Sequence, residues 1–135
     1  AGVGSLSRIA LAADEPDERL LKALGYLAGL AAPFKAEILI THVSAPDTPD
    51  AEVNRRLEQL QEAASAPDYG KISCADVRGD DISRTLLEFS ASHRCDLIAV
   101  VHQRHTLYQQ VFDESVTRKV MGRHRIPCLV FPADF

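Results

Sequence analysis

The run Cys95–Val101, CDLIAVV, constrains the fold more than any other stretch of the chain. Beyond Asp96 it offers no polar side chain, so it reads as a buried strand and not as one wetted on alternate residues. Three further runs are short and apolar: Ser7–Ala13, Glu37–Val43 and Ile126–Phe131. Lys71–Val77 alternates loosely, as an edge strand does. The segments between them carry helical spacing. Leu20, Leu24, Leu27 and Ala31 mark an amphipathic helix over 17–32, with Asp14 or Asp17 as its cap, Pro16 in its first turn and Pro33 as its stop. After the loop SAPDTPD, Val53, Leu57, Leu60 and Ala64 mark a second helix, whose other face carries Arg55, Arg56, Glu58 and Glu62. Ile82, Leu86 and Phe89 begin a third, capped by Asp80 or Asp81, and Ser115–His124 reads as a fourth.

Strictly alternating strands and helices, joined by right-handed crossovers, predict one α/β domain over 1–135 with a parallel sheet covered on both faces. In such sheets the binding crevice lies outside the carboxyl ends of the strands, where strand order reverses. The loops after the first and fourth strands are therefore the functional candidates. They hold Asp14 and the stretch VHQRHTLYQQVFDES.

The net charge of −4 argues against a general nucleic-acid binder. No apolar run approaches the roughly 18 residues of a membrane span, so no membrane insertion is expected. Cys74, Cys95 and Cys128 are an odd number at wide spacing, each in or beside an apolar run. They read as free buried thiols of a cytoplasmic protein. The opening AGVGSLS has neither a basic nor an apolar leader region and lacks Met, which suggests a processed chain or a domain cut from something longer.

RIALAAD, EILITHV, VRGDDISRTLLEFSASHRCDLIAVV, ESVTRKVM and RIPCLVFP occur in this order over nearly the whole chain. In that order and spacing the chain resembles the universal stress protein family. The resemblance implies a five-stranded parallel sheet in the order 3-2-1-4-5 with helices on both faces, Rossmann-like. It implies pairing through the last strand, Cys128, Leu129, Val130 and Phe131, in a homodimer or with a tandem domain of the same kind. The wording around Gln103–His105 and Phe112–Lys119 is more like the carboxyl-terminal half of tandem members.

ATP-binding members carry Gly, two residues, Gly, nine residues, then Gly followed by Ser or Thr. Such glycines let backbone N–H groups approach phosphates at a helix amino end. Here His102 and His105 stand where the first two glycines belong, Glu114 stands at the third, and the spacer is eight residues. Ser115 alone survives, followed by Val116. Two imidazoles would fill the approach path. Asp113 and Glu114 would oppose an anion at about 4 kcal/mol for each like-charge contact at ~4 Å and an effective dielectric of ~20. Arg104 would offset part of this. By family position Asp14, Val43, His102, Arg104, His105, Ser115 and Val116 are the nucleotide candidates. Against that role, Asp14 serves equally as a helix cap, Val43 fits plain strand core and Ser115 fits an N-cap.

His102 and His105 form an H-x-x-H, but on a loop. A third metal ligand would have to be Asp14, Asp113 or Glu114, and none is fixed, so no metal is expected. The pair beside Arg104 would also suit a sensor of pH near neutrality. Leu107, Tyr108, Val111 and Phe112 suit a short helical turn that lies over the pocket or against a partner. From 101 to 126 five basic residues, Arg104, Arg118, Lys119, Arg123 and Arg125, face two acidic ones, a patch for an anionic partner or simply a basic helix end. No nucleophile is paired with a base.

The sequence thus favours a non-enzymatic stress-response module that dimerises through its last strand and holds no cofactor. An adenine-nucleotide switch binding ATP or AMP, and a regulatory domain of a larger protein such as a transporter, are the alternatives.

Overall fold

In the computed structural model the described residues are 6–13, 16–101 and 126–131. Five strands, β1 Arg8–Ala12, β2 Glu37–Ser44, β3 Ile72–Arg78, β4 Leu97–Val101 and β5 Cys128–Phe131, form one sheet in the order β3-β2-β1-β4-β5. Every neighbouring pair is parallel. The fold class and strand order read from the sequence are those found. β3 is an edge strand, and so is β5. The expected fourth helix, Ser115–His124, and the turn around Leu107–Phe112 lie outside the described residues.

Strand alternation divides the core in two. Ile9, Leu11, Ile38, Ile40, Ala99 and Phe131 face α1 (Glu18–Ala31) and α2 (Asp50–Ala64), which contribute Leu20, Leu24, Leu27 and Leu60. Ala10, Ala12, Ile98 and Val100 face α3 (Ile82–Ser92), which contributes Leu86 and Leu87. Each fully buried leucine contributes about 1.5–3 kcal/mol. β1 and β4 are covered on both faces, which explains their unbroken apolar runs.

Most element ends fall within a residue of the sequence expectation, and the larger departures have local causes. α1 ends at Ala31, ahead of Pro33 as expected, and a 3-10 turn, Ala32–Phe34, follows it, because proline is tolerated in a first turn. Lys35, with φ 56°, ends it in the left-handed region. α2 begins at Asp50, which the sequence had placed in the loop SAPDTPD. Arg78 fixes that start, donating to the Pro46 and Thr48 carbonyls at 3.1 and 2.6 Å and pairing with Asp50 at 2.7 Å. β4 begins at Leu97 because Asp96 is spent on the neighbouring strand: its carboxylate accepts Ser7 N–H at 2.7 Å and Arg8 N–H at 3.0 Å. β5 begins at Cys128, while Ile126 packs into the α3-face core. Of the paired cap candidates, Asp17 accepts from Leu20 N–H and Asp81 from Arg84 N–H, each at 3.1 Å.

Cys74, Cys95 and Cys128 are all free. Cys95 is buried, whereas Cys74 and Cys128 are half-buried, which corrects the expectation of three buried thiols. Their strands lie nearer the sheet edges, where one neighbour is missing. Burial pushes all three thiols up, Cys95 from 9.0 to about 11.

Candidate functional site

The strand order reverses between β1, which is followed by Ala13, and β4, which ends at Val101. In sheets of this kind such a reversal is where a crevice is expected. Asp14, His102, Arg104, His105, Ser115 and Val116 lie outside the described residues. Val43 is described, at the carboxyl end of β2. Its side chain is half-buried against the α3-face core. Cys128, Leu129 and Val130 are half-buried on the outer edge strand, and Phe131 is buried beneath α1.

At the carboxyl ends of β2 and β3 lies a polar cluster that the sequence did not reveal. His42 and Asp76 are register partners across β2 and β3. His42 Nδ1 lies 2.8 Å from Asp76 Oδ2. Ser44 Oγ donates to the same Oδ2 at 2.7 Å and lies 3.3 Å from His42 Nδ1. Alternation places His42, Ser44 and Asp76 on the face covered by α1 and α2. The Asp76 side chain is only 2 % exposed, and its Oδ1 is buried without a hydrogen-bond partner among the described residues. The signal was present as an i, i+2 pair on β2, but its third member comes from another strand and needs the register.

These three residue types invite comparison with a nucleophilic relay, and the geometry does not match one. A relay places the hydroxyl on Nε2 and the carboxylate on Nδ1, so that the imidazole passes a proton between them. Here both donors converge on one carboxylate oxygen, and the hydroxyl sits on the Nδ1 side. The carboxylate accepts the Nδ1 proton and so leaves Nε2 as the outward nitrogen. The arrangement ties β3 to β2 and fixes a ring. It does not activate an oxygen.

A separate groove of about 830 Å³ runs between β3 and α3, lined among others by Val77, Gly79, Thr85, Glu88, Phe89 and His93. Gly79 has to be glycine there, since a Cβ would lie 1.9 Å from Thr85 Oγ1. His93 stacks on Phe89 with ring centroids 3.9 Å apart. No group of three metal-ligating side chains occurs among the described residues. No described helix is long and apolar enough to cross a membrane.

A parallel sheet in this order, reversing between β1 and β4 and with helices on both faces, defines a Rossmann-like α/β domain. The model of the universal stress protein family matches residues 6–132, and the chain belongs to that family. No curated protein matches it. Among solved structures, a universal stress protein in complex with cAMP is 20 % identical, covering 95 % of this chain and 98 % of that one with a TM-score of 0.66. A family protein from Burkholderia pseudomallei is 18 % identical, covering 98 % and 100 %, with a TM-score of 0.68. The universal stress protein from Archaeoglobus fulgidus in complex with dAMP is 16 % identical, covering 92 % and 96 %, with a TM-score of 0.62. At these identities the likeness is one of fold.

Proposed function

We propose that the chain is a non-catalytic stress-response or regulatory module that associates through β5 and does not hold ATP in the manner of its ATP-binding relatives. The observation that carries this reading is the outer edge at β5. Three of its four residues, Cys128, Leu129 and Val130, are apolar and half-buried on a strand with one neighbour. An apolar edge with unpaired backbone groups needs a partner. The replacement of the phosphate-gripping glycines by His102, His105 and Glu114 supports the second half of the reading, and the non-relay geometry at His42, Ser44 and Asp76 supports the absence of catalysis. The partner is a second copy or a tandem domain of the same family. A basic region over 101–126 offers a further contact for an anionic partner.

A second reading has its own support. Structures that share this fold were crystallised with cAMP and with dAMP. Val43 occupies the strand end where the family resemblance places a nucleotide contact. In that reading Asp14, Val43, Arg104 and Ser115 hold AMP or ATP and the domain is a switch. One experiment separates the two. The freshly purified protein is denatured and any released small molecule identified by mass spectrometry, and ATP and AMP are then titrated by calorimetry. No released nucleotide and no binding in the micromolar range is the result expected. A released or micromolar nucleotide would establish the second reading in its place.

A further inference from the structure

β3 is an edge strand of seven residues, Ile72–Arg78, and it pairs with β2 without a bulge along its whole length. Its hydrogen-bond phase is fixed at both ends. Ile38 N–H donates to Lys71 C=O at 2.8 Å, and Gly79 N–H donates to Ser44 C=O at 2.9 Å. Residues of odd number therefore spend their backbone groups on β2. Alternation turns the N–H and C=O of Ile72, Cys74, Asp76 and Arg78 outward. Proteins blunt such an edge with lysine, proline, a bulge or a projecting charge. β3 has neither lysine nor proline. Asp76 is turned in to His42 and Ser44, and Arg78 is tied back to Pro46, Thr48 and Asp50.

The odd residues send their side chains to the α3 face, and those side chains are small: Ser73, Ala75 and Val77. The groove of about 830 Å³ beside α3 is lined there by apolar Ala75, Val77 and Phe89. A second hollow of about 250 Å³, lined among others by Glu37, Lys71 and Ser73, adjoins the amino end of the same strand. Room for side chains thus lies alongside the row of outward backbone groups.

We propose that β3 is a docking edge for an extended segment of another protein, which adds to the sheet as a strand and seats alternate apolar side chains in the groove beside α3. The backbone row gives affinity that any extended peptide can use, and the groove gives selection. The rim favours neither sign of charge, since Arg84 Nε lies 3.8 Å from Glu88 Oε1, so the apolar lining decides which side chains enter. A second copy is the poorer occupant. Two β3 strands paired antiparallel about a two-fold axis keep both α3 helices on one face. Each strand then offers the other's groove only Ser73, Ala75 and Val77, which leave most of it unfilled. Leucine, methionine or aromatic side chains of a different chain fill it. The inference is independent of pairing through β5, at the opposite edge of the sheet.

The test begins with a displayed library of random linear peptides about ten residues long, enough to span β3, selected on the unaltered chain. The strongest binder is synthesised, its affinity is measured by fluorescence anisotropy, and amide hydrogen exchange is followed by NMR with and without it. A binder with alternating apolar residues is expected. It should newly protect Ile72, Cys74, Asp76 and Arg78 and leave Ser73, Ala75 and Val77, already bonded to β2, unchanged. Cys74→Pro removes an outward N–H without breaking the β2 ladder, and Ala75→Glu puts a charge in the groove; each is expected to weaken binding by about tenfold or more. Leu21→Glu, on the exposed side of α1, is expected to leave binding unchanged. Thermal melts check folding, and Ala75→Glu with the exchange pattern carries the test if Cys74→Pro does not melt cooperatively. No enriched peptide, protection away from β3, or binding indifferent to the folded variants would overturn the proposal. Sedimentation velocity decides the occupant. Self-association that Cys74→Pro dissociates, with the same alternating protection, would put a second copy in place of the peptide. None of these failures touches the β5 reading.

Discussion

Replacing Asp76 with alanine is expected to destabilise the fold although Asp76 belongs to no hydrophobic cluster. Its Oδ2 accepts from Ser44 Oγ at 2.7 Å and from His42 Nδ1 at 2.8 Å. Each hydrogen bond to a charged group contributes about 1.5–3 kcal/mol, so the pair is worth about 3–6 kcal/mol. Against this stands Oδ1, buried and bare, whose desolvation costs about 1–3 kcal/mol and is relieved by the substitution. The difference spans about 0–5 kcal/mol, and its middle leaves Asp76→Ala about 2–3 kcal/mol less stable. For a chain of this length that lowers the melting temperature by roughly 6–15 °C. The assay is urea unfolding monitored by circular dichroism, with the midpoint shifted and the slope unchanged. Ser44→Ala is expected to cost less, because it removes one bond and leaves the other. In the Asp76→Ala background Ser44→Ala should then cost almost nothing, since the two residues act as one unit. Full additivity of the two changes, or a neutral Asp76→Ala, would show that the cluster does not hold β3 to β2.

Three further expectations concern other elements. Gly79→Ala places a methyl group 1.9 Å from Thr85 Oγ1 and 2.8 Å from both Thr85 Cβ and Cγ2, so no rotamer of Thr85 clears it; a loss of about 1–3 kcal/mol in urea unfolding is expected, only partly rescued by Thr85→Ala. Arg78→Ala breaks a bridge to an exposed carboxylate and should cost under about 1 kcal/mol of global stability. It also releases the Pro46 and Thr48 carbonyls, so hydrogen exchange should rise specifically over residues 45–49. Cys95, whose thiol is pushed up to about 11 by burial, should resist thiol reagents at neutral pH until the protein unfolds. Because its folded pKa lies above the unfolded one, its contribution is complete below about pH 9 and is lost as pH rises towards 11; Cys95→Ala should flatten that alkaline decline in the urea midpoint.

Legibility from sequence followed the distance over which each feature is decided. The doubly covered strands β1 and β4 could be read directly, because burial on both faces leaves no polar residue and so no ambiguity. α1 was equally plain from Leu20, Leu24 and Leu27. Its end was plain too; only the 3-10 turn beyond it was not, since a proline that breaks an α-helix is acceptable at the start of such a turn. The start of α2 at Asp50 was hidden because no side chain of its own caps it; Arg78, on β3, organises the loop instead. The same reason concealed the cluster around Asp76. His42 and Ser44 announce a polar face on β2, but their acceptor lies 34 and 32 residues away. Only the β2–β3 register brings it opposite.

That contrast bears on where function resides in this chain. The family's phosphate chemistry is local in sequence: glycines at fixed spacing beside one helix start. Its absence here is therefore visible without coordinates. Association chemistry is not local. Val130 gains meaning as an outward edge only when Ile98 is known to bond Pro127. On the reading proposed above, a family member that departs from the local motif while keeping the sheet order would act through the part that sequence reports least well. The feature to compare among such members is then the outward face of the last strand, alongside the loop after β4.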